Sequence, residues 1–274
     1  MKNRTAILLV ILLVIGAVSV TLLMQRHFSE SQKSVVRGVE LDSEMGDGVA
    51  TENLAPTETA EVIEEVLPTR GYSENIPEDV QKIMAGVSMP ANAKVKYDDL
   101  AYLTIYYIDF NDNHATGNII VAKALAEEVL DIFEELYKIK YPIESVRIID
   151  EFKDKQTKEL DTLDNASMGH NNTSSFCYRQ VVNGKSMSQH SYGRAIDLNP
   201  KINPYVVKRN LSVSPANAKK YIDRSGKGLT DIENRAMLHT NDDVYKIFTS
   251  RGWTWGGNAW NTIYDYQHFE KPAK

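Results

Sequence analysis

The chain has 274 residues, 42% apolar composition, one cysteine and a formal net charge of -6. That apolar fraction supports a packed core and excludes a chain disordered throughout. The lone Cys177 excludes an internal disulfide framework, and without a basic excess nucleic acid is not an expected partner.

Residues Ala6 to Met24 run without a charge, behind Lys2 and Arg4. At ~1.5 Å of helical rise per residue the run suffices for a hydrocarbon core roughly 30 Å thick. Ala17-Val18-Ser19 could instead serve as a signal-cleavage site. Residues 1–27 are therefore expected to be a membrane anchor or signal segment with the basic end inside. The rest of the chain is then extracellular on a single-pass protein, or secreted if the segment is cut.

Between Phe28 and Val80 thirteen Asp/Glu face three Lys/Arg, with Gly46, Gly48, Pro56 and Pro68 scattered among them. Residues 28–80 read as an acidic flexible linker, with a possible short helix around Glu58 to Val66. From Gln81 onward there are 24 acidic and 25 basic residues. A nearly neutral folded domain is expected over 81–274.

Leu103 to Phe110 is β-branched and aromatic, Asn111 to His114 reads as a turn, and Gly117 to Val121 returns as a second strand. Val121, Leu125, Val129, Ile132, Phe133 and Leu136 recur at helical spacing, opposite Glu127, Glu128, Glu134 and Glu135. Pro142 should stop that helix, and Val146 to Ile149 should form a buried strand. Asp161 to Arg179 reads as a long polar loop, a type that is often functional. Asp242 to Thr249 is amphipathic. The fold class is α+β, a small antiparallel sheet with helices packed to one side.

The most informative stretch runs from Ser188 to Pro200, with His190 seven residues before Asp197. Read as a strand after Gly193, it sends Ile196 and Leu198 to one face, and Ala195 and Asp197 to the other. A carboxylate among such neighbours is costly unless a cation pairs with it. His190 and His268 could share that cation, giving two imidazoles and one carboxylate with a coordination position left over. The residues alone equally allow three ordinary hydrogen-bonded side chains. Trp253, Trp255 and Trp260 surround Gly256-Gly257, as core or as the wall of a peptide groove. On one strand Asp265 and His268 would face opposite ways, so a turn or bulge is expected between them.

Ser188-x-His190-x-x-Gly193-x-Ala195-x-Asp197, then Trp255-Gly256-Gly257, then Asp265-x-x-His268-Phe269, resembles the D-alanyl-D-alanine metallopeptidase family over roughly Tyr97 to Lys271. The resemblance implies zinc bound by His190, Asp197 and His268, a zinc site on the sheet, Asp265 as general base and Arg179 on the substrate. Ser188 and Trp255 are expected at the substrate with Arg179. Glu270 is expected to orient His268. His170 and His239 are lesser candidates, and Cys177 reads as a small buried residue.

The implied substrate is the peptidoglycan stem peptide. Family endopeptidases that cut between L-alanine and D-glutamate tend to carry aspartate as the base, so Asp265 leans that way. D-alanyl-D-alanine carboxypeptidase action is the alternative, with Arg194 or Lys201 meeting the terminal carboxylate. A zinc-binding module without catalysis is the reading from another class.

Overall fold

The computed structural model describes residues 68–181 and 184–273. The 1–27 segment, most of the linker and the helix expected near Glu58 lie outside them. Among the described residues no helix is long and apolar enough to cross a membrane.

The first ordered element is strand β1 (Tyr72–Glu74), followed by helix α1 (Glu78–Met84). Both precede or straddle residue 81, where the domain was expected to begin. Their apolar positions explain this: Ile76, Val80 and Met84 are buried with Leu100, Ile120, Ile148 and Phe176.

The domain is built on a hairpin of β2 (Leu100–Ile108) and β3 (His114–Ala122), with β1 on the free edge of β2. Its turn is set by Asp109, whose Oδ1 accepts from the backbone N–H of Asn111 at 2.8 Å and of Asn113 at 2.9 Å. Such an Asx cap is the local alternative that lets a strand reverse.

Helix α2 (Ala126–Lys138) lays Val129, Ile132, Phe133 and Leu136 on Leu103, Ile105, Ile119 and Val121. Alternate residues of the hairpin, Leu100 and Ile120, face α1 instead. Fully burying side chains of this size stabilises the fold by ~1.5–3 kcal/mol each before conformational entropy is counted. Val121, expected on the helix, lies in the strand, which ends at Ala122, and a 3-10 turn at Lys123–Leu125 separates the two. The helix stops at Lys138, ahead of Pro142, with Lys140 at positive φ.

Only β4 (Ser145–Val146) of the strand expected to reach Ile149 is extended, and a 3-10 segment begins at Ile149. Thr162 caps helix α3 (Leu163–Gly169) inside the expected polar loop, and β5 (Asn172–Thr173) then pairs parallel with β4.

The remaining strands form two antiparallel sheets. One joins β6 (Ala195–Asp197), β9 (Thr254–Trp255) and β11 (His268–Glu270), with β11 in the middle. The other joins β7 (Tyr205–Val207), β8 (Val213–Ser214) and β10 (Ile263–Asp265), with β7 in the middle. Helices α4 (Asp231–Ala236), α5 (Asp243–Thr249) and α6 (Gly256–Ala259) fill the connections. The class is α+β, small antiparallel sheets with mixed helices.

The excursion after Pro200 is pinned by Arg224. Its Nη1 donates to the carbonyl of Ile202 at 2.7 Å, and its Nη2 to Asn203 Oδ1 at 2.8 Å and the carbonyl of Leu238 at 2.9 Å. The guanidinium also lies 4.4 Å above the Tyr266 ring.

Candidate metal centre

Antiparallel register places Asp197 of β6 directly opposite His268 of β11. Paired residues of an antiparallel ladder project to the same face, so carboxylate and imidazole meet. Asp197 is fixed a second time, because its N–H and C=O both pair with Ser174, at 2.9 and 3.1 Å. His190 arrives on a 3-10 turn, Gln189–Tyr192, that ends at Gly193 with φ +62°. A Cβ on Gly193 would stand 2.4 Å from the backbone N of Ala122, so only glycine lets this turn press on β3.

Three polar side chains converge. Asp197 Oδ2 is 3.3 Å from His190 Nε2, Asp197 Oδ1 is 3.1 Å from His268 Nδ1, and the two ring nitrogens are 3.2 Å apart. All three residues are buried. Each ring is oriented from behind. The Nδ1–H of His190 donates to the Ser175 carbonyl at 2.5 Å, and the Nε2–H of His268 to Glu270 Oε2 at 3.2 Å. Neither partner can donate, so both tautomers follow from the network, and in the neutral rings the inward nitrogens carry lone pairs.

Two imidazole lone pairs and a carboxylate, each held from outside, suit a borderline cation such as zinc. Without a cation the same atoms need a proton. Burial opposes charge on His268, but its hydrogen bonds to Asp197 and Glu270 prevail and raise its pKa to about 10. Burial likewise opposes ionisation of Asp197, and the two imidazoles hold it well below the usual carboxylate range.

Asp265 ends β10, in the neighbouring sheet, and the turn Tyr266-Gln267 leads into β11. The parity difficulty disappears because the two residues lie on different strands. Gly256 permits the approach of α6 to this turn, since a Cβ there would stand 2.7 Å from the Asp265 carbonyl oxygen. Asp265 Oδ1 is shielded from solvent and has no hydrogen-bond partner. Burial pushes its carboxyl up to about 7, with Asp197 adding to the shift and His268, His190 and Arg179 opposing it.

Arg179 pairs through Nη2 with Asp164 Oδ2 at 2.9 Å. Burial opposes its charge, yet Asp164 and then Cys177, Asp197 and Asp265 raise its pKa, so both site carboxylates lie within its electrostatic reach.

Two expected substrate contacts belong to the framework instead. Ser188 is 6% exposed, and its hydroxyl accepts from the His190 N–H at 3.3 Å, capping the turn that carries this histidine. Trp255 is 3% exposed, donates from Nε1 to the Tyr266 carbonyl at 2.8 Å and stacks with Phe269. It is core, as is Trp253, and neither walls a groove. Trp260 alone of the three borders the centre, its ring 5.7 Å from that of His268.

The lesser candidates have local roles. His170 Nδ1 contacts the Ala166 carbonyl at 2.8 Å, and the His239 N–H donates to Asp242 Oδ2 at 2.6 Å. Cys177 is buried, which pushes its thiol up to about 12. Sequence reasoning missed Ser175, Gln267 and Asp164. Gln267 donates from Nε2 to Met168 Sδ at 3.1 Å and to Asp197 Oδ2 at 3.4 Å. Only its position beside His268 could have drawn notice.

Residues 182–271 match the family model described as D-alanyl-D-alanine carboxypeptidase. The match supports the D-alanyl-D-alanine metallopeptidase family for this part of the chain. The matched span holds His190, Asp197, Asp265 and His268, while Arg179 lies just ahead of it. It is narrower than the Tyr97 to Lys271 range suggested by the motifs. No curated protein and no solved structure matches the chain. The match supports a metallopeptidase and does not distinguish endopeptidase from carboxypeptidase action.

Proposed function

We propose that the chain is a zinc-dependent peptidase of peptidoglycan stem peptides, cutting the L-Ala–D-Glu bond. The observation that carries the metal reading is the orientation of the two rings. His190 and His268 turn one nitrogen each toward Asp197 while their outer nitrogens are held by the Ser175 carbonyl and Glu270. Zinc bound by these three supplies Lewis acidity and lowers the pKa of water in the remaining position toward ~7.

The protein's own groups do the rest. Asp265 accepts the proton of the attacking water and passes it to the leaving amine. A carboxyl raised by burial is suited to that work, because it can take a proton and give it up near neutral pH. Arg179 donates to the scissile carbonyl oxygen as negative charge develops there. Asp197 offsets one of the cation's two charges and accepts from both imidazoles when they are protonated.

Asp265 as the base supports the endopeptidase reading. The description of the matching family favours the second reading, D-alanyl-D-alanine carboxypeptidase, with Arg194 or Lys201 at the terminal carboxylate. In either case the proposed location is outside the cell membrane, anchored or released through residues 1–27.

Digesting purified muropeptides and weighing the products separates the two. Cleavage between L-alanine and D-glutamate is the expected result. Release of single D-alanine from pentapeptide stems, with that bond intact, establishes the carboxypeptidase instead.

A further inference from the structure

We propose that Asp164 is a positioning residue, which holds the Arg179 guanidinium over the centre and keeps it from pairing with Asp197 or Asp265. The proposal rests on the role given to Arg179 above.

The Arg179 backbone is fixed independently of its side chain. Its N–H donates to Ser191 Oγ at 2.9 Å, and its carbonyl accepts from Ser191 Oγ at 2.7 Å and from the Ser188 N–H at 3.0 Å. The chain is thereby tied to the turn that carries His190. The guanidinium has one firm partner, Asp164 at 2.9 Å. Its Nη1 reaches the Gln180 carbonyl only at 3.5 Å, and its Nε, shielded from solvent, has no partner. A long cationic side chain with a fixed root and one ion pair takes its pose from that pair.

Asp164 is itself held. It sits in the first turn of α3, where the Thr162 hydroxyl accepts from the Asn165 N–H at 3.0 Å. The far end of the helix is anchored by Met168 Sδ, which takes the Gln267 amide, and by the Gly169 carbonyl, which takes Asn217 Nδ2 at 3.0 Å. Side-chain exposures of 25% for Arg179 and 17% for Asp164 leave the pair partly screened from water and still open on one side. Asp197 and Asp265 also lie within electrostatic reach of the guanidinium, so without Asp164 they compete for it. Arg179 would then neutralise the proton acceptor it is meant to stand beside.

An acidic residue in the first turn of a helix has a simpler use, complementing the helix dipole. That use does not involve Arg179, so a double-mutant cycle on the full chain separates the two. Asp164→Ala is expected to lower kcat/KM by about 10–100-fold, the scale of a misplaced catalytic contact. Zinc content should be unchanged, and Asp164→Glu should recover part of the loss. In an Arg179→Ala background the same substitution should change kcat/KM by less than about 2-fold.

Losses that multiply in the double variant overturn the proposal, and so does an Asp164→Ala protein with wild-type kcat/KM. A fully active Arg179→Ala protein would sink the functional reading of that arginine and the proposal with it. Loss of zinc in Asp164→Ala would mean that the residue supports the centre as a whole and does not act through Arg179.

Discussion

Asp265 shows how one carboxylate can be costly to the fold and useful to the chemistry. Its carboxyl is raised from the ordinary value of 3.8 to about 7 by burial, so the folded state favours the protonated form. As pH rises through that range, the metal-free protein loses stability that the unfolded chain, titrating near 3.8, has no cause to lose. Asp265→Asn removes the ionisation. The metal-free variant should be more stable than wild type at pH 8, by at least about 1 kcal/mol, and the difference should vanish near pH 4. Urea unfolding at the two pH values checks this. The same variant should keep zinc and lose ~10²–10⁴-fold in kcat, since an amide cannot take the proton. A loaded variant with undiminished turnover would place the base elsewhere. Bound zinc stabilises the carboxylate, so the acid limb of the wild-type activity profile should fall below pH ~7.

Among the elements, α3 links ligand and substrate sides of the centre. Asp164 meets Arg179, and Met168, one turn later, meets Gln267 beside Asp197. Thr162→Ala removes the cap and should cost ~1 kcal/mol in chemical denaturation. Because α3 sets the Arg179 pose, kcat/KM should fall too, whereas a helix irrelevant to the centre would leave it unchanged. This helix was not legible in the sequence. Leu163-Asp164-Asn165-Ala166-Ser167-Met168-Gly169 has no apolar stripe and poor helix formers, and its one signal is the cap. The hairpin and α2 were legible because long runs show their period. The two-residue strands β5, β8 and β9 were not, and β4 was read as a longer strand, since such short pieces are held by tertiary contacts that leave no periodicity. Trp255 was misplaced for a related reason: a Trp-Gly-Gly triplet describes a close approach equally well in a core or a groove. The clustering of His190, Asp197 and His268 was the most legible part of the centre, because the spacing of His190, Gly193 and Asp197 records a turn entering a strand.

For the molecule as a whole, the centre joins parts distant in the chain: the His190 turn, β6 and β11, with the Ser174-Ser175 segment behind them. A cation there is bound only by the folded chain, so its removal should loosen the whole domain. Chelation should lower Tm by several degrees, and re-addition of zinc should restore it. A Tm indifferent to chelator would mean that the three residues are a hydrogen-bonded cluster. The central claim is tested most directly by zinc content, measured by elemental analysis on purified wild type, His190→Ala and Asp197→Ala. The account predicts about one ion per wild-type chain, as for a three-ligand catalytic site, and little in either variant. Undiminished zinc in both variants would contradict it.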